Sequence, residues 1–143
     1  PSLKTDTKVP KTARHRRVKR REFRHVMACL DRSPSAARVF KEAASLADLF
    51  EASLTAIRVI PGDHTASPCS DPVEWELTRR GEIAALQKLA ASTDTASGMR
   101  VIVACGHAMG CIQEQARKSN ADLLVLGKGA SGTSSQWGLG GTV

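Results

Sequence analysis

A chain of 143 residues with 41% apolar content is long enough to build one domain around one core. No apolar run approaches the ~18–20 residues that a membrane-crossing helix needs. The formal charge of +7 is unevenly spread: ten of the 21 Lys/Arg and two of the 14 Asp/Glu fall in residues 1–24, a net of +8, which leaves −1 for everything after them. The pI of 9.7 therefore describes a tail and does not imply a basic binding face on the rest of the chain.

Residues 1–22 are rich in Lys, Arg and Thr and nearly devoid of apolar side chains, which predicts a disordered basic tail ahead of a domain at 23–143. The block Arg14-His15-Arg16-Arg17-Val18-Lys19-Arg20-Arg21 reads first as a solvated extension and second as a contact for nucleic acid or an anionic surface. No aromatic residue interleaves these charges, so base stacking has no support.

The run Arg24–Leu30, closed by Asp31, predicts a buried strand. Ser33-Pro34 reads as a helix start, with Ser as N-cap and Pro at the first helical position. Ala36, Val39, Phe40, Ala43, Leu46, Ala47 and Phe50 then repeat at helical spacing. Residues 53–60 predict a second strand, ended by Pro61-Gly62. After a polar loop, Asp71-Pro72-Val73-Glu74 predicts an N-cap, and Trp75, Ile83, Leu86 and Leu89 carry a long helix to about residue 95. Met99–Cys105 is a third strand, residues 108–119 a third helix, and Ala121–Leu126 a fourth strand. The segment Gly127–Val143 is rich in Gly and Ser.

Strands alternating with helices predict an α/β fold: an open parallel sheet, Rossmann-like, with helices on both faces. The strands read as apolar throughout, as burial on both faces requires. Four cysteines, Cys29, Cys69, Cys105 and Cys111, form no CxxC pair, and with no export signal in view all four are expected as reduced thiols in a cytoplasmic protein.

In such a sheet, ligands sit outside the carboxyl ends of the strands, at the switch in strand order. Asp31 ends the first strand, where a carboxylate can accept from a ribose hydroxyl or an adenine amino group; position alone supports equally a turn residue ahead of the first helix. Gly127-Lys128-Gly129-Ala130-Ser131-Gly132 leaves the fourth strand, and Gly138, Gly140, Gly141 and Thr142 follow. Glycines let the backbone approach phosphates and turn successive N–H groups toward an anion, with Lys128 adding charge and Thr142 a hydroxyl. This is not a GxxxxGK[ST] loop. His107 and Cys111 share a helix face without a third metal ligand nearby, and Asp63, His64 and Cys69 share a loop without a nucleophile–base order.

Phe23–Ser33, Leu54–Ile60, Gly106 with Ile112, and above all Ala121-Asp122-Leu123-Leu124-Val125-Leu126-Gly127-Lys128 resemble the universal stress protein family over residues 23–143. The resemblance implies an adenine-nucleotide alpha-hydrolase-like fold. Members that bind ATP use the acid after the first strand, the backbone at the end of the second, and a loop Gly-x2-Gly-x9-Gly-Ser/Thr. Carried over, these roles fall on Asp31 with Cys29 beside it, on Val59, and on Gly127, Lys128, Gly129, Gly132, Gly140, Gly141, Thr142 and Val143. Here the loop departs from that pattern in either register: from Gly127 the second Gly position is Ala130, and Gly140 nine residues later is followed by Gly141 rather than Ser/Thr, whereas from Gly129 the second Gly is Gly132 but only eight residues separate it from Gly141-Thr142. The resemblance also implies a further helix and a fifth strand after Val143, so the expectation is a C-terminally truncated domain with an unprotected last sheet edge, homodimeric in its full-length form. The expected function is binding of ATP or a related adenine nucleotide, with Mg²⁺ on the phosphates, in stress response or signalling and without enzymatic turnover. The alternative is a protein-interaction scaffold of the same fold that binds no nucleotide.

Overall fold

The computed structural model describes residues 23–62, 69–94 and 98–128. The basic tail at 1–22 and, from the glycine-rich segment, Gly129, Gly132, Gly140, Gly141, Thr142 and Val143 lie outside the described residues. The elements run β1 (His25–Cys29), α1 (Ala36–Phe50), β2 (Ser53–Pro61), α2 (Pro72–Ala91), β3 (Arg100–Gly106), α3 (Ala108–Ser119) and β4 (Leu123–Leu126). All strand pairs are parallel, in the order β3-β2-β1-β4. The chain therefore winds outward from β1 to β3 and then returns to the other side of β1, which puts the switch in strand order between β1 and β4.

Side-chain alternation along the strands divides the core into two layers. Val26, Ala28, Leu54 and Ala56 pack with Phe40, Ala43, Ala44 and Ala47 of α1 and Leu86 of α2. Met27 and Ile57 point the other way and pack with Ile112 of α3, flanked by Cys29, Val59, Ile102 and Ala116. Thus α1 and α2 cover one face and α3 the other, the doubly wound arrangement expected of the alternation in sequence. Only the inner strands are buried on both faces. β3 is half-buried along most of its length, and β4 alternates, leaving Leu124 and Leu126 exposed. The expectation of strands buried throughout holds for β1 and β2 and fails for these two because, among the described residues, they are the sheet's edges.

Each end of the sheet is fixed by polar contacts. At the amino end, Asp122 Oδ2 accepts from the backbone N–H groups of Arg24 (2.7 Å) and His25 (3.0 Å), which locks the start of β1 beside β4. The His25 ring bridges Ser119 O (2.8 Å) at the end of α3 and Thr55 Oγ1 (2.7 Å) on β2. Among the described residues no helix is long and apolar enough to cross a membrane.

The start of α2 is as the sequence predicts: Asp71 Oδ1 accepts from Val73 N (2.7 Å) and Glu74 N (3.0 Å), with Pro72 in the first turn. The start of α1 differs. The helix begins at Ala36 with Ser35, not Ser33, as N-cap, and Ser33-Pro34 belong to the preceding turn. The reason is local competition: Asp31 Oδ1 captures Ser33 N (2.9 Å) and the Ser33 hydroxyl, folding the chain into an Asx turn before it can become helical.

Candidate functional site

The carboxyl ends of β1 and β4 open side by side at the strand-order switch. Cys29 pairs with Leu126 of β4 on one side and Ile57 of β2 on the other, so the chain leaving β1 at Asp31 and the chain leaving β4 at Gly127 emerge together. Gly127 is packed against the first turns of α1: a Cβ there would stand 2.8 Å from Val39 Cγ2. Only a residue without a side chain allows β4 to exit this close to α1. Lys128 follows it, exposed. The first turn of α1 holds no acidic residue, and Ser35 makes no side-chain cap bond, so the positive end of the helix dipole is left uncompensated beside these two exits.

The predicted site residues occupy different depths. Cys29 and Val59 lie on the α3 face of neighbouring strands, half-buried, with Val59 the nearer to the carboxyl edge. Burial pushes the Cys29 thiol up to about 12, so it is neutral at physiological pH and acts as a small apolar surface. Asp31 is exposed. Its Oδ1 is used by Ser33, while Oδ2 meets no donor among the described residues. Of the two readings the position allowed, the turn role is therefore present, and one oxygen is left over for a ligand.

Beneath this turn lies a polar network that the sequence reading missed. Arg58, in the middle of β2, is buried on the α1/α2 face. Its Nη2 donates to Asp31 O (2.8 Å), its Nε to Leu30 O (3.3 Å) and its Nη1 to Glu82 Oε2 of α2 (2.7 Å). Arg32, inside the turn, pairs with the other oxygen of Glu82. Burial by itself would raise the Glu82 carboxyl, but the hydrogen bonds from Arg58 and Arg32 outweigh it and hold the group below its ordinary value. The signal was present in the sequence: an arginine between Ile57 and Val59 in an otherwise apolar strand requires buried acceptors.

At the far side of the same edge, Cys69 and Cys105 form a disulfide, with Cα atoms 6.3 Å apart. This corrects the expectation of four reduced thiols; Cys29 and Cys111 are the free ones. Spacing along the chain hides the pairing. The ends of β2 and β3 are neighbours through Pro61 and Gly106, and a Cβ on Gly62 would lie 3.3 Å from Cys105 Sγ, so the loop leaving β2 starts against that sulfur. Gly106 has φ +143°, a conformation open essentially to glycine, and Cys111 Sγ crowds the space a Cβ would take.

Two other features stay apart from this edge. An open depression of about 600 Å³ lies between the end of α2 and the start of β3, around Gln87, Ala90, Met99 and Val101, at the opposite end of the sheet. Among the described residues no group of three or more His, Cys, Asp or Glu side chains is placed to hold a metal ion, the His107–Cys111 pair included.

The profile of the universal stress protein family matches residues 22–143. The chain belongs to the universal stress protein family. Its fold is that of solved members. The universal stress protein UspA from Lactobacillus plantarum is 22% identical and superposes with a TM-score of 0.60, covering 80% of this chain and 83% of that one. A universal stress protein in complex with cAMP is 21% identical with a TM-score of 0.56, over 82% and 84% of the two chains. Protein Rv1636 from Mycobacterium tuberculosis is 21% identical with a TM-score of 0.53, over 80% of each. No curated protein sequence matches the chain at a significant level.

Proposed function

We propose that this universal stress protein domain binds an adenine nucleotide, ATP with Mg²⁺ carried on its phosphates, and acts in stress response or signalling through occupancy rather than turnover. The observation that carries the reading is the meeting, at the strand-order switch, of the Asp31 turn leaving β1 with Gly127-Lys128 leaving β4, beside the uncapped start of α1. The cAMP complex of a protein with the same fold supports it.

Each residue has a task that its chemistry allows. Asp31 Oδ2 accepts from a ribose hydroxyl or the adenine amino group. The half-buried Cys29 and Val59 supply an apolar floor, and the Val59 backbone adds polar contacts. Lys128 neutralises phosphate charge, with the glycine-rich segment (Gly129, Gly132, Gly140, Gly141, Thr142 and Val143) supplying N–H groups and a hydroxyl. A metal ion would arrive on the phosphates, since no acidic cluster among the described residues would hold it. A cytoplasmic homodimer belongs to the same reading, and is checked by fractionation and sedimentation.

Isothermal titration with ATP and Mg²⁺, with cAMP in parallel, tests the proposal. Binding in the micromolar range, about −7 to −8 kcal/mol, is expected. Asp31→Asn, which keeps an acceptor for Ser33 but removes the charge, weakens it about tenfold. Gly132→Val also weakens it, and no phosphate is released during the titration. Silence with every adenine nucleotide would favour the second reading, a protein-interaction scaffold. One observation already points that way: Ser33 occupies one of the two Asp31 oxygens.

A further inference from the structure

Where the ladder between β1 and β2 stops, the last sheet bond is Leu30 N to Ile57 O (2.9 Å). The carbonyls of Leu30 and Asp31 lie beyond it and accept instead from one side chain, Arg58. All three guanidinium nitrogens are in use, on three acceptors from two elements: two carbonyls of the β1–α1 turn and the Glu82 carboxylate of α2. Glu82 in turn spends its second oxygen on Arg32, the residue between Asp31 and Ser33. The turn is thus held twice, from below through its backbone and from the side through Arg32. Both holds converge on one carboxylate, which is only 14% exposed.

We infer that Arg58 is the positioning residue of the candidate site: with Glu82 it fixes the backbone of residues 30–32 and so aims the Asp31 carboxylate at the crevice between β1 and β4. A planar guanidinium suits this task because three donors at fixed angles can serve three acceptors in one plane. A lysine ammonium in the same place is a point charge on a flexible stem. It can meet Glu82 or a carbonyl, but not all three acceptors with good geometry. The buried pair is therefore an orienting device rather than a source of stability, since burying two charges returns little net free energy. The inference rests on the nucleotide reading for its ligand, but its geometric content does not.

The test uses the whole chain and two readouts. The first is amide hydrogen exchange without nucleotide. The Ser33 amide, bonded to Asp31 Oδ1, reports the turn, and the Met27 and Ala28 amides report the core of β1. In Arg58→Lys the Ser33 amide should exchange about tenfold faster while the two core amides change far less. A residue that merely stabilised the fold would speed all three amides by a common factor, and that result overturns the inference. Should Arg58→Lys fail to fold, Arg32→Gln, at a side chain 60% exposed, cuts only the outer hold; its Ser33 amide must still exchange faster than the parent's relative to the core, or the inference falls. The second readout is ATP titration. If the parent binds, Arg58→Lys should bind about tenfold more weakly at saturating Mg²⁺, and parent-like affinity refutes the positioning role. If the parent does not bind, the nucleotide reading has failed, and the exchange data alone decide whether Arg58 holds the turn.

Discussion

Reduction of the Cys69–Cys105 bond gives a prediction whose size follows from the chain. The bond joins residues 36 apart in sequence, from the loop after β2 to the end of β3. Loop-closure entropy for a ring of that length lowers the entropy of the unfolded chain by roughly 13 cal/mol/K, worth about 4 kcal/mol at 25 °C. With a urea dependence of about 2 kcal/mol/M for a domain of this size, the unfolding midpoint should fall by about 2 M when the bond is cut. The assay has two parts. Thiol titration of the oxidised chain in denaturant should give the two thiols of Cys29 and Cys111, and four after reduction. Urea unfolding of the oxidised chain, the reduced chain and Cys69→Ser/Cys105→Ser should place the last two together, below the first. Four thiols before any reductant, or coincident midpoints, would refute the reasoning and return Cys69 and Cys105 to the expected reduced state.

Further outcomes follow from the packing. Phe40, fully buried between α1 and the sheet, should cost about 3–5 kcal/mol as Phe40→Ala, read as a lower melting temperature in calorimetry. Gly127→Ala should cost about 1–3 kcal/mol, because the new Cβ meets the stiff, β-branched Val39, and Val39→Ala in the same chain should recover most of that loss. Failure of the rescue would mean that the close approach of β4 to α1 is not the cause. Cys29 should resist alkylation: with its thiol at about 12, roughly one molecule in ten thousand is thiolate at pH 8, so mass spectrometry should find Cys29 labelled last. The sign follows from the neutral form being favoured in the fold: this contribution to stability is complete below the ordinary thiol value of 9.0 and is lost as pH rises toward about 12.

Element order and the parallel sheet are legible in the sequence, because period, strand apolarity and the Asp71-Pro72 start are local properties that each segment carries alone. The same topology marks the carboxyl ends of the parallel strands as the candidate site, since ligands of open α/β sheets bind there. The sequence places the start of α1 two residues early, at Ser33, because nothing in the linear order says whether Asp31 will take that serine for its own turn. The rest depends on segments far apart in the chain. Arg58 looks like an interruption in an apolar strand until the turn after β1 and the middle of α2 bring three acceptors from residues 24 to 28 positions away. Gly127 looks like a loop glycine until α1 closes on it. Cys69 and Cys105 carry no pairing signal until the fold sets Cys69 against the end of β3. Periodicity records which face of an element is buried; what that face meets depends on contacts between distant segments, and those exist only once the chain has closed on itself.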